Sequence, residues 1–213
     1  MTLREAWTQF VAAEDYEAHM AAIGQAQANA SLVGELFEAA SPRAGSRVLI
    51  AGAGSGQIFD WLPPQTFVPH ALTCSDINAA FLKRLGRRCA CQTVVDDIED
   101  SRLEPGFSVA IVVLVLEHVE WRKALASLAR LRPERVIVVI QRNPPGELPA
   151  RERAGTMRIF ASQVRSHPIE ASALEAELIG LGFMPQLARE RAVADGKTMV
   201  GLLFAATAEG SCG

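Results

Sequence analysis

The sequence has no apolar run long enough to cross a bilayer, no surplus of positive charge and no cysteine pair with the spacing of a metal or redox motif. Its longest apolar stretch, Val109 to Leu116, falls far short of the ~20 residues a spanning helix needs. The opening Met1-Thr2-Leu3-Arg4-Glu5-Ala6-Trp7 is interrupted by charge before an apolar core develops, so it does not read as a secretory signal. A formal net charge of −3 offers a nucleic-acid backbone no clustered basic face. Of the four cysteines (Cys74, Cys89, Cys91, Cys212), the close pair Cys89-Ala-Cys91 lacks the two-residue spacer of zinc and disulfide-exchange motifs. These absences predict a cytoplasmic protein with free thiols, no metal, no membrane attachment and no nucleic-acid partner.

What is present suits one folded unit. The chain has 213 residues, 49% of them apolar, enough for one core. Residues 1–42 read as a helical cap. Thr2-Leu3-Arg4-Glu5 fits a capping box, and Met20, Ile23, Ala30, Val33, Leu36 and Phe37 recur at helical steps, with Gly24 or Asn29 as a break. Residues 43–213 read as an α/β domain. Apolar strands are predicted over Arg47–Ala51, Ala71–Cys74, Cys91–Val95, Val109–Leu114 and Val136–Ile140. Helices are predicted between them, including Gln57–Leu62, Asn78–Arg88 and Trp121–Leu131, with a further one over Ile169–Leu181. Two closing strands, Met184–Val193 and Met199–Ala206, flank Asp195-Gly196, a strong hairpin signal. The alternation implies right-handed crossovers and a mostly parallel sheet between helical layers.

Val48-Leu49-Ile50-Ala51-Gly52-Ala53-Gly54-Ser55-Gly56 runs a strand into a glycine turn that opens a helix. Glycine there lets a ligand lie against the main chain, and free amides at a helix start suit a carboxylate or phosphate. A dinucleotide site would need G-x-G-x-x-G, but the sixth position is Gln57 or Phe59 in the two registers. Asp76, after the second strand, is placed to accept hydrogen bonds from ribose hydroxyls or to cap the next helix, a role open to Asn78 as well. Asp97, after the third strand, is placed to accept from an adenine amino group while Ile98 packs on the ring. The alternative for the acidic run Asp96-Asp97-Ile98-Glu99-Asp100 is a solvated loop.

In series these features resemble the class I S-adenosylmethionine-dependent methyltransferases, small-molecule type. The likeness spans Arg47 to Ala206 and includes Leu116-Glu117-His118-Val119 after the fourth strand, Leu131-Arg132-Pro133 and Gly182-Phe183. It implies a three-layer, Rossmann-like fold with a seven-stranded sheet, one strand antiparallel in a C-terminal hairpin. It implies S-adenosylmethionine as cofactor, held by Ala51, Gly52, Ala53, Gly54 and Gly56, by Asp76 and Ile77, by Asp97 and Ile98, and by Val113 and Leu114. The chain departs from the family at Ile50, where an acid often helps hold the methionine end, and at Ser108, often Asp. A binding-only relative of the same fold is therefore the alternative to an enzyme.

Alignment of an acceptor with an activated methyl group is most of what such a protein must supply, and a base helps where the acceptor is a hydroxyl or protonated amine. Val112-Val113-Leu114 offers none, so the candidates are Glu117 and His118, with Tyr16 and His19 from the N-terminal helices. Of Arg142, Arg151, Arg153, Arg158 and Arg165, one or two are candidates to hold a carboxylate or phosphate of a small acceptor, the alternative being a solvated surface loop. Asn143-Pro144-Pro145 reads as a rigid strand exit. The expected assembly is a monomer, or a homodimer paired through the N-terminal helices.

Overall fold

In a computed structural model, the described residues are 17, 18, 20, 21, 24–144 and 168–207. Seven strands form one sheet: β1 (Arg47–Ala51), β2 (Ala71–Asp76), β3 (Gln92–Val95), β4 (Val109–Val113), β5 (Arg135–Arg142), β6 (Phe183–Ala192) and β7 (Thr198–Ala206). Their order is β3-β2-β1-β4-β5-β7-β6. The pairings from β3 through to β5 are parallel, and β7 lies antiparallel between β5 and β6. The expected seven-stranded sheet with one reversed strand is what the chain forms.

The central strands β1, β4 and β5 lack polar alternation because both of their faces are covered. Along β1, Val48 and Ile50 join one core and Leu49 and Ala51 the other. The first face carries helix α1 (Gln25–Ala40) and helix α2 (Ala79–Leu85), which contribute Leu32, Val33, Leu36, Leu82 and Leu85. The second carries α3 (Trp121–Arg130) and α4 (Ala171–Gly180), with Leu125, Leu128, Leu174 and Leu178. Helix α1 is thus part of the main core. Among the described residues, no helix is long and apolar enough to cross a membrane.

Local chemistry departs from the expected boundaries in four places. The predicted helix over Gln57–Leu62 is only a 3-10 turn, Gln57–Asp60. Gly56 before it is left-handed, φ 75°, and Pro63-Pro64 follows closely, which leaves room for little more than one turn. Gly24, φ 71°, breaks the N-terminal stretch, whereas Asn29 stays inside α1 and is buried. Asp76 is the last residue of β2 rather than the residue after it, and β3 stops at Val95, two short of Asp97. Cys74, Cys89 and Cys91, scattered in sequence, are free thiols that pack on one core, with Cys91 hydrogen-bonded to both others.

Helix α1 packs tightly on the sheet at Gly201 of β7. A Cβ there would stand 2.9 Å from Leu36 Cδ1 and 3.3 Å from Leu32 Cβ. Gly201→Val is expected to push α1 off the sheet and cost about 1–3 kcal/mol, read as a lower denaturant midpoint at unchanged slope.

Candidate ligand-binding cleft

The sheet order reverses between β1 and β4, since β1 pairs with β2 on one side and β4 on the other. Ligands in such sheets bind outside the carboxyl ends of the strands at this switch point. A cleft of ≈ 680 Å³ lies there, lined by Gly52, Asp76, Ile77, Asp97, Ile98 and His118 among others. A second hollow of ≈ 520 Å³ shares Gly52, Gly54, Val113 and Leu114 with it and continues toward α1, where Asn29, Ile50, Ala53 and Ser55 form its walls. The two form one trough over the end of β1.

The glycine turn forms the floor. At Gly52, φ 67°, a Cβ would lie 2.6 Å from Val115 Cγ2, so the loop after β4 can pass only over a bare backbone. At Gly54, φ 57°, nothing lies within 4 Å of a built Cβ, so the main chain faces open space. Gly56 instead packs on α2, and neither it nor Ala51, buried in β1, lines the trough. Leu114 adopts φ 52°, uncommon for a branched side chain, and lines both hollows.

The turn's amides are already engaged. Ala53 N donates to Ser75 O at 2.9 Å and Gly56 N to Ala53 O at 3.1 Å. Gly54 N donates to Asp76 Oδ2 at 2.8 Å, and Asn78 N donates to Asp76 Oδ1 at 2.8 Å. These three amides of the glycine turn are therefore spent within the protein, and a single 3-10 turn follows. Burial pushes the Asp76 carboxyl above its usual range, opposed by the amides of Asn78, Gly54 and Ile77. Asn78 caps α2, accepting from Ala80 N at 2.9 Å and Phe81 N at 3.3 Å. Asp97 Oδ1 accepts from Glu99 N at 3.0 Å, which orders the acidic run into a turn, Ile98–Asp100, that lines the cleft.

The proton-carrying candidates separate. His118 lines the cleft. Glu117 is only 4% exposed and lines neither hollow. Its Oε1 accepts from Gln141 N at 2.8 Å while Oε2 is buried without a partner among the described residues. Burial pushes its carboxyl up to about 7, against the opposing amides of Gln141 and Glu117 itself. Tyr16 and His19 lie outside the described residues, as do Arg151, Arg153, Arg158 and Arg165. Arg142 pairs with Glu190, each guanidinium nitrogen 2.7 Å from a carboxylate oxygen.

Several residues at the cleft escaped the sequence reading. Glu17 accepts from Arg88 Nη1 at 2.6 Å and pairs with Arg84 Nε at 3.1 Å. Arg88 also donates to Ser55 O at 2.9 Å, and Gln57 Nε2 donates to Glu17 O at 2.8 Å, so the segment before α1 is tied to the glycine turn. Burial alone would raise the Glu17 carboxyl, but bonds from Arg88 and Ser55 and the two cationic neighbours bring it down to about 2. Gln25 and Asn29, one turn apart on α1, are buried polar residues. Gln25 Nε2 donates to Gln141 Oε1 at 2.8 Å. Asn29 lines the trough with its Oδ1 buried and, among the described residues, unpartnered. A polar residue on an otherwise apolar helical face was the available signal.

No protein-family model and no curated protein sequence matches the chain. Solved structures do. Magnesium protoporphyrin IX methyltransferase from Synechocystis PCC 6803, with S-adenosylmethionine bound, matches with TM-score 0.64 and 16% identity, over 85% of this chain and 79% of that one. A TehB-like S-adenosylmethionine-dependent methyltransferase from Corynebacterium glutamicum matches with TM-score 0.59 and 18% identity, over 92% and 98%. Geranyl diphosphate C-methyltransferase from Streptomyces coelicolor A3(2), in complex with Mg2+, geranyl diphosphate and S-adenosylhomocysteine, matches with TM-score 0.62 and 11% identity, over 83% and 79%. At these identities the likeness is one of architecture, and together with the strand order it shows that the chain has the fold of the class I S-adenosylmethionine-dependent methyltransferases.

Proposed function

We propose that the protein binds S-adenosylmethionine in this trough and transfers its methyl group to a small-molecule acceptor bearing a carboxylate or phosphate. The observation that carries the reading is the convergence of a bare-backbone turn, Asp76 and Asp97 at the ends of three adjacent parallel strands. The trough fits the group. Gly54 leaves space for a ligand against the main chain. Asp76 keeps lone pairs toward the cleft for ribose hydroxyls. Ile98 and Leu114 offer apolar surface to a ring, and Asp97 a carboxylate to its amino group.

When bound, S-adenosylmethionine supplies a methyl carbon already activated by its sulfonium, so the protein's task is alignment and exclusion of water. The loop after β4, held down on Gly52 by Val115, fixes His118 at the cleft edge. His118 there takes the acceptor's proton. Glu117 supports that loop from behind through the Gln141 amide rather than touching the ligand. Tyr16, His19 and the arginines of residues 151–165 are assigned by sequence to the acceptor side. Arg142, paired with Glu190, is not needed there. The apolar Ile50 in the trough wall favours a second reading, a binding protein that does not catalyse.

Calorimetry with S-adenosylhomocysteine is expected to show saturable binding, and NAD none. Asp97→Asn, which keeps the cap to Glu99, should weaken S-adenosylhomocysteine about tenfold, the scale of one hydrogen bond to a charged group. No saturable binding by the unaltered protein overturns the reading. Methyl release should occur with carboxylate- or phosphate-bearing acceptors, and His118→Ala should lower kcat about 100-fold. Binding without methyl release across a panel of hydroxy acids, amines and phenols would leave the binding-only alternative.

Glu117 generates a pH prediction. Its folded value, about 7, lies above the ordinary 4.5, so the folded state holds an extra proton between those limits. Stability must therefore fall as pH rises through that window. Glu117→Gln lacks that loss, and its Tm should drop less than that of the unaltered protein between pH 5 and pH 8.

A further inference from the structure

The half of the trough beneath α1 contains a buried polar group that nothing among the described residues satisfies. Asn29 is 2% exposed, and its Oδ1 has no hydrogen-bond partner among the described residues. The other polar side chains of its lining, Ser55 and Gln57, are committed. The Ser55 hydroxyl bonds to the Glu17 carboxylate, and Gln57 Nε2 donates to the Glu17 carbonyl at 2.8 Å. The amides of Ala53, Gly54 and Gly56 donate within the protein. The β1 side of the hollow is Ile50, 1% exposed, which accepts no bond. Glu17, the carboxylate beyond the turn, is already neutralised by Arg84 and Arg88.

An orphaned acceptor beside a cavity costs free energy until a donor reaches it, and an ammonium is the strongest donor for a carbonyl oxygen. We infer that the Asn29 carboxamide, carried on α1, is the acceptor for the α-ammonium of the ligand's amino-acid end. This rests on the reading of the trough as a S-adenosylmethionine site and adds a role that the sequence assigned to no residue. The position follows from the sheet: Ile50 points to the face covered by α1, so a group on that helix reaches the hollow that Ile50 leaves without a polar wall. The recognition is neutral rather than ionic. Affinity for the whole ligand should therefore exceed that for its truncated nucleoside by the strength of one carboxamide contact, not of an ion pair.

The test is calorimetry of the full chain and of Asn29→Ala, Asn29→Ser and Asn29→Asp with two probes. S-adenosylhomocysteine carries the amino-acid end, and 5′-methylthioadenosine lacks it. Asn29→Ala and Asn29→Ser are expected to weaken S-adenosylhomocysteine about tenfold while 5′-methylthioadenosine stays within about twofold. Asn29→Asp, which restores an acceptor and adds charge, should bind S-adenosylhomocysteine at least as tightly as the unaltered protein. Near-ultraviolet circular dichroism identifies any variant that fails to fold, and the remaining variants then decide. The assignment is overturned if the folded alanine and serine variants keep full affinity, or if both probes weaken equally. It is equally overturned if no substituted chain folds, because Asn29 is then a residue of the core. Failure of the unaltered chain to bind either probe overturns the underlying reading as well, which separates the two failures.

Discussion

Asp76 sits where β1, β2 and α2 meet, and its carboxylate takes one amide from each side. Gly54 N of the turn and Asn78 N at the head of α2 both donate to it at 2.8 Å. A carboxylate so buried would be costly without partners, and the amides that satisfy it are also those that needed a partner at the end of a parallel sheet. The bond holds Gly54 open to the cleft and brings Asn78 to cap α2. It also has a consequence for any ligand: the turn binds the protein's own acid, so an incoming anion finds few glycine amides free.

The same economy shapes the first face of the sheet. Helix α1 buries Leu32, Val33 and Leu36 against β5 and β7, and the residues preceding it are fastened to the glycine turn by Glu17, Arg88 and Gln57. Core and ligand site therefore share a helix. The Glu17 carboxyl, brought to about 2, contributes stability that is present above its ordinary 4.5 and lost as pH falls toward 2. Glu117 has the opposite dependence, destabilising as pH rises toward 7. The two dependences meet near their shared ordinary value of 4.5: below it the Glu17 contribution is lost, and above it the Glu117 contribution is lost.

Where the sequence was legible, periodicity and burial agreed. β1 and β4 could be read because a strand covered on both faces is apolar at every position, and the hairpin because Gly196 takes the left-handed conformation, φ 72°, that its turn requires. The 3-10 turn after Gly56 was misread because apolar spacing does not distinguish one turn of helix from two. Asn29 was one of two candidate breaks, beside Gly24, since carboxamides favour helix ends. Inside α1, tertiary burial overrode that preference.

From the sequence alone came the strand order's ingredients, the glycine turn, the exclusion of a dinucleotide spacing by Gln57, and acids after the second and third strands. These are local: each depends on residues within a few positions of one another. Tertiary structure decided which of them face the trough. It turned Glu117 into the core and left His118 at the edge, spent the turn amides on Asp76 and internal carbonyls, and swung Asn29 from α1 over Ile50. Such outcomes depend on pairs far apart in sequence, Gly54 with Asp76 or Glu117 with Gln141, and no periodicity in one segment encodes what another will present to it.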